Sequence, residues 1–151
     1  MGRILAIDPG SKRVGLAVSD PTGTIAQALT TVPAEPAATL ASRLAEIAKA
    51  QDAQRIVVGL PLRLDGAHGP EAAAAQRLAH SLRLASGLPV DMVDERLTTA
   101  AAERSLIDPG VRRRARSGRP SPKQRDERRL SIHRVAATLL LQGHLDSKHA
   151  G

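Results

Sequence analysis

Cysteine is absent from this 151-residue chain, and so are phenylalanine, tyrosine and tryptophan. Without cysteine there is neither a disulfide framework nor a thiolate metal site. Without aromatic rings, single strands cannot be held by stacking bases on side chains. Any grip on nucleic acid would have to come from Lys, Arg and backbone amides acting on phosphates. The core must be built from Leu, Ile, Val and Ala. No apolar run approaches the length needed to span a bilayer, so no membrane partner is expected. Asp8 stands where the apolar region of a signal peptide would continue, and a cytoplasmic protein is expected. The length suits one domain, residues 1–151, with a buried core.

What the chain has in excess is positive charge, and that excess lies in one place. The net charge is +7. Residues 111–130 hold nine of the 22 basic residues (Arg112, Arg113, Arg114, Arg116, Arg119, Lys123, Arg125, Arg128, Arg129) and two of the 15 acids, Asp126 and Glu127. The rest of the chain is neutral in sum. A basic tract with Gly and Pro, about 108–122, reads as a mobile loop that binds phosphate, or as a solvated surface loop.

Hydrophobic spacing predicts the order of elements. Arg3–Asp8 is a short apolar run closed by Pro9-Gly10, a buried strand and a turn. Arg13–Ser19 alternates through Val14, Leu16 and Val18 and pairs with it as a hairpin. Thr24–Val32 is a third strand of weaker pattern. Pro36–Gln51 is a helix, with Leu40, Leu44 and Ile47 on one side. Arg55–Gly59 is a central strand, and a loop runs from Leu60 to Gly69. Pro70–Ser86 is an Ala-rich helix closed by Gly87. Pro89–Val93 is the last strand. A short helix from Thr98 or Thr99 to Leu106, a break at Asp108-Pro109-Gly110, and a helix over Pro122–Leu145 complete the chain, with a short tail from about residue 146. Hairpins followed by crossover helices imply an α/β fold: a five-stranded mixed sheet with helices on both faces.

Two acids fall where such a sheet places its ligands. Asp8 ends the first strand, and Glu95 lies two residues beyond the last expected one. The carboxyl ends of neighbouring parallel strands form the ligand crevice of an α/β sheet. Carboxylates converging there suit a hard cation such as Mg²⁺, which positions and activates water on a phosphodiester. Each acid also has a plainer reading. Asp before Pro-Gly commonly starts a turn, and Asp94-Glu95 can charge the N-terminus of a following helix. Asp-x-Gly after a strand also opens actin-like ATPases, but those need a second similar domain.

The motifs go further. Ile7-Asp8-Pro9-Gly10-Ser11-Lys12-Arg13-Val14-Gly15-Leu16-Ala17-Val18-Ser19-Asp20 resembles the opening of the YqgF/RuvX family. Val57-Val58-Gly59-Leu60-Pro61-Leu62-Arg63-Leu64-Asp65-Gly66 resembles its second motif, Asp94-Glu95-Arg96-Leu97-Thr98-Thr99 its third, and the helix from Ala136-Ala137 to Leu141-Gln142 its fourth. The resemblance implies a ribonuclease H-like fold. It also implies a pre-16S ribosomal RNA nuclease, a metal-dependent hydrolase of phosphodiester bonds, formerly described as Holliday-junction-resolvase-like.

The resemblance further implies Asp8 and Glu95 as carboxylates binding Mg²⁺ or Mn²⁺. The family usually adds an Asp three residues before the Ala-Ala pair, where this chain has His133. Neutral imidazole can ligate a divalent metal, Mn²⁺ more readily than Mg²⁺. Asp126, seven residues earlier, is the fallback ligand if the helix reaches that far. The plain reading of His133 is a surface residue, which would leave a binding protein with weakened catalysis. Lys12, Arg13 and Arg96 are candidates for phosphate contact, with Arg112, Arg113, Arg114, Arg116, Arg119 and Lys123 of the basic stretch. Gly59-Leu60-Pro61 either shapes a tight loop or offers amides to phosphate. RNA is the favoured partner. Branched DNA is the alternative, and with it a symmetric homodimer, because a resolvase cuts two strands about a two-fold axis.

Overall fold

Alternation of side chains decides which face of the sheet each residue meets, and here it divides the core into two. A computed structural model describes residues 2–62, 65–95 and 121–150; the side chains of 125–133 and 149–150 lie outside that description. The elements are β1 (Arg3–Asp8), β2 (Arg13–Ser19), β3 (Ala26–Pro33), α1 (Ala37–Ala50), β4 (Ala53–Leu60), α2 (Pro70–Ser86), β5 (Val90–Asp94) and α3 (Pro122–Ala150). The strands form one five-stranded sheet in the order β3-β2-β1-β4-β5. The β1–β2 and β2–β3 pairs are antiparallel, while β1–β4 and β4–β5 are parallel. The crossovers to β4 and β5 run through α1 and α2, and the sheet is the mixed one expected.

On one face, Leu5, Ile7, Val14, Leu16, Ile56 and Val58 pack against Leu40 and Leu44 of α1 and Ala75, Ala79 and Leu82 of α2. On the other, Ala6 and Ala17 meet Ala137, Leu141 and Leu145 of α3. Ala6 and Ala17 on the α3 side are small. In a chain without aromatic residues, a long helix can then lie close to the sheet and bury its leucines.

Local chemistry sets the boundaries. Asp20 Oδ1 accepts from the amides of Thr24 and Ile25, both at 2.8 Å, and Oδ2 accepts from the Thr22 hydroxyl. Residues 20–25 are thereby committed to a turn, so β3 begins at Ala26 rather than at Thr24. The Ile25 amide first, then the Thr22 hydroxyl and the Thr24 amide, hold the Asp20 carboxyl below the usual carboxylate range. Gly87 ends α2 at φ 69°, in the left-handed region that glycine enters without a Cβ penalty. Ser121 and Gln124 cap α3 reciprocally: the Gln124 amide donates to Ser121 Oγ (3.2 Å) and the Ser121 amide to Gln124 Oε1 (2.9 Å).

A further boundary needs correction. The tail expected from about residue 146 is helical through Ala150. No Gly or Pro interrupts residues 145–150, Ser147 Oγ donates to the His144 carbonyl, and Gln142 Nε2 donates to Asp146. The expected short helix from Thr98 or Thr99 and the basic stretch through Arg119 lie outside the described residues. Among the described residues, no helix is long and apolar enough to cross a membrane.

Candidate functional site

Asp8 is the last residue of β1 and is 1% exposed. Leu5 and Ile7 face α1 and α2, and Ala6 faces α3, so the alternation puts Asp8 on the α3 side. Its partner on β2 is Gly15. On the other flank the parallel register pairs Ile7 with Val58, so one step further brings Asp8 level with Gly59. Asp8 therefore sits between two strand positions that carry no side chain.

Glu95 directly follows Asp94, the last residue of β5, one position nearer the strand than expected. It is 6% exposed. Gly59 pairs with Val93 across the β4–β5 ladder, and the Glu95 side chain folds back over Gly59. A methyl group built on Gly59 would stand 2.7 Å from Glu95 Oε1 and 3.3 Å from Glu95 Cγ. It would also stand 3.0 Å from Leu140 Cδ2 of α3. That leucine identifies the side of the sheet: Glu95 and Asp8 share the α3 face, on either flank of β4, at the carboxyl ends of β1 and β5.

Helix α3 runs antiparallel to β1. Leu145 and Lys148 lie beside Gly2, Ile4, Gln54 and Arg55, at the amino ends of β1 and β4. Leu140 lies at Gly59, near the carboxyl end of β4. Positions earlier in α3 thus extend toward the carboxyl ends of the strands. His133 is two helical turns before Leu140, and Asp126 two turns before that, both within the helix. The helix does reach Asp126, as its role as fallback requires. The side chains of His133 and Asp126 lie outside the described residues. Among the described residues, no three His, Asp or Glu gather as a metal cage.

Lys12 is exposed and Arg13 half-buried in the turn and first position of β2, at the same end of the sheet as Asp8. Lys123 is exposed in the first turn of α3. Arg96, Arg112, Arg113, Arg114, Arg116 and Arg119 lie outside the described residues. Sequence reasoning missed the glycine flanks. Glycine inside a strand is itself a sign of close approach, but which group approaches depends on the register.

Asp8 and Glu95 are nearly sealed from water at strand ends on one face of the sheet, and carboxylates so placed could offer only oxygen to a ligand. Such donors suit a hard divalent cation better than a soft one.

Comparison with known proteins gives the family and the fold. A family model described as "RuvX: Holliday junction resolvase" matches residues 2–147. A protein of Roseiflexus sp. named "Putative pre-16S rRNA nuclease" is 41% identical over 147 residues, 97% of this chain and 96% of its own. One of the same name from Chloroflexus aggregans is 41% identical over 145 residues, 96% and 94% of the two chains. Among solved structures, Thermus thermophilus RuvC in complex with Holliday junction substrate superposes with a TM-score of 0.59 at 18% identity, over 99% of this chain and 96% of its own. That likeness shows the fold, which is ribonuclease H-like, as the resemblance implied.

Proposed function

The chain belongs to the RuvX family, and from that premise we propose that it is a divalent-metal-dependent nuclease that hydrolyses phosphodiester bonds in precursor 16S ribosomal RNA in the cytoplasm. The observation that carries this reading is the pair of buried acids, Asp8 and Glu95, on one face of the sheet at the carboxyl ends of β1 and β5. Asp8 and Glu95 would hold Mg²⁺ or Mn²⁺, with His133, or Asp126 in its place, supplied by α3. Such an ion, when bound, acidifies a water and stabilises the charge on the leaving oxygen.

The chain's own residues do the rest. The glycine flanks keep bulky side chains away from Asp8, and the space over Gly59 is taken by the Glu95 carboxylate instead. Burial restricts where the two carboxylates can point, and their seating on the sheet supplies the positioning that such catalysis requires. Lys12, Arg13, Arg96, Lys123 and the arginines of 112–119 grip the backbone through phosphate charge. With no aromatic residue to stack on bases, binding to RNA is expected to weaken steeply with salt.

The family's description supports a second reading, cleavage of branched DNA by a symmetric dimer. Wild-type and Asp8→Asn proteins assayed on ribosomal RNA precursor and on four-way junctions, with Mg²⁺ and Mn²⁺ separately, test both. Asp8-dependent cleavage of the precursor supports the first reading. Cleavage confined to junctions, by a dimer in solution, replaces it with the second. Tight RNA binding without turnover under either metal identifies a homologue that has lost catalysis.

A further inference from the structure

Glycine is a poor choice for the interior of a strand, since it gains nothing from packing and loses the most conformational freedom on folding. Gly59 has no positive φ to explain it, and Ala would fit its backbone. The reason for glycine must lie in what occupies the space. That space holds Glu95 Oε1, 2.7 Å from where the Cβ would be, and Leu140 Cδ2, at 3.0 Å. The two neighbours differ in kind. Leu140 is a wall, fully buried in α3. Glu95 Oε1 is the far end of a flexible side chain, able to move aside at little cost to the fold. A methyl here would therefore displace the carboxylate rather than break the sheet.

We propose that Gly59 is a positioning residue for the nuclease centre. Its bare Cα is the floor on which the Glu95 carboxylate is seated, with Leu140 as the opposite wall. This rests on the reading of Glu95 as a metal-binding carboxylate. It assigns to the Gly59-Leu60-Pro61 corner a role distinct from shaping a loop or offering amides to phosphate. It also makes α3 part of the seat at Leu140, so the strand and the helix together set where the acid points.

The test is Mn²⁺ binding to the full chain by calorimetry, with the melting temperature as the control for folding. Gly59→Ala should weaken Mn²⁺ binding about tenfold or more, the scale seen when a ligand's supporting groups are lost. Its melting temperature should stay within about 4 °C of wild type. In a Glu95→Gln background the same change should weaken binding no further, because the group it acts through is already gone. In a Leu140→Ala background the methyl presses only on Glu95, so the loss should persist.

If Glu95→Gln weakens Mn²⁺ binding but Gly59→Ala does not, this proposal is overturned and the reading of Glu95 stands. A loss that disappears with Leu140→Ala assigns the effect to helix packing and also overturns it. If Glu95→Gln leaves Mn²⁺ binding unchanged, the reading of Glu95 falls and the proposal falls with it. Should Gly59→Ala alone not fold, the Leu140→Ala pairing, which removes the less yielding wall, carries the test.

Discussion

Leu141→Ala should loosen the helix that completes the site. Leu141 is fully buried in the smaller of the two cores, among Ala6, Ala17, Ala137 and Leu145, with Ile4 and Ala26 at its edge. Three of its four buried neighbours are alanines, which have no rotamers with which to fill a hole. The cavity left by truncation should therefore stay open. Buried Leu→Ala changes cost 2–5 kcal/mol depending on how far the site collapses, and a site that cannot collapse lies well above the low end, at about 3–4 kcal/mol. For a domain of this size that is a drop in melting temperature of roughly 6–16 °C. The chain has no tryptophan or tyrosine, so unfolding in urea must be followed by far-ultraviolet circular dichroism rather than intrinsic fluorescence. The slope against urea should not change. Val135→Ala, at a 38% exposed position of the same helix, should be close to neutral. A loss below about 1.5 kcal/mol for Leu141→Ala would refute the argument that the alanine-lined core anchors α3 through Leu141.

Two further outcomes follow from single positions. His144 has its pKa lowered, first by burial and then by Lys148 and Arg55, with Asp91 opposing; its Nε2 is buried without a hydrogen-bond partner among the described residues. A base depressed in the folded state contributes stability that is full above its unfolded value of 6.5 and is lost as pH falls below that toward the folded value. Urea titrations from pH 7.5 down to pH 5 should therefore show wild type losing stability faster than His144→Gln, and parallel curves would contradict the assignment. Gly87→Ala forces a Cβ into the left-handed region at φ 69° and should cost about 1 kcal/mol by the same denaturation assay, whereas Gly87→Asn should cost less.

How much of this was legible beforehand depended on where the determining contacts lie. The spans of β1, β2 and α2 agree with the sequence reading to the residue, because their apolar runs are closed by Pro9-Gly10, by the Pro21-Thr22-Gly23 turn and by Gly87. The strand β4 runs from Ala53 to Leu60, longer at both ends than its apolar stretch, because pairing with β1 and β5 recruits flanking residues. The start of β3 was displaced by the Asp20 side chain, whose reach over five residues no periodicity reports. At the site, Asp8 and Glu95 stood out as acids at strand ends, and the motifs singled them out. The glycines beside them did not. Gly15 and Gly59 gain their meaning only from cross-strand register, and Leu140 only from the path of α3 over the sheet.

The central claim is that Asp8 and Glu95 form one metal-dependent cleavage centre. The most direct measurement is cleavage of ribosomal RNA precursor by wild-type and Asp8→Asn proteins, purified free of host nucleases, with Mg²⁺ or Mn²⁺ added and then chelated. The account expects cleavage that needs the metal and vanishes in Asp8→Asn, while the folded state and RNA binding persist. Undiminished cleavage by Asp8→Asn would contradict it.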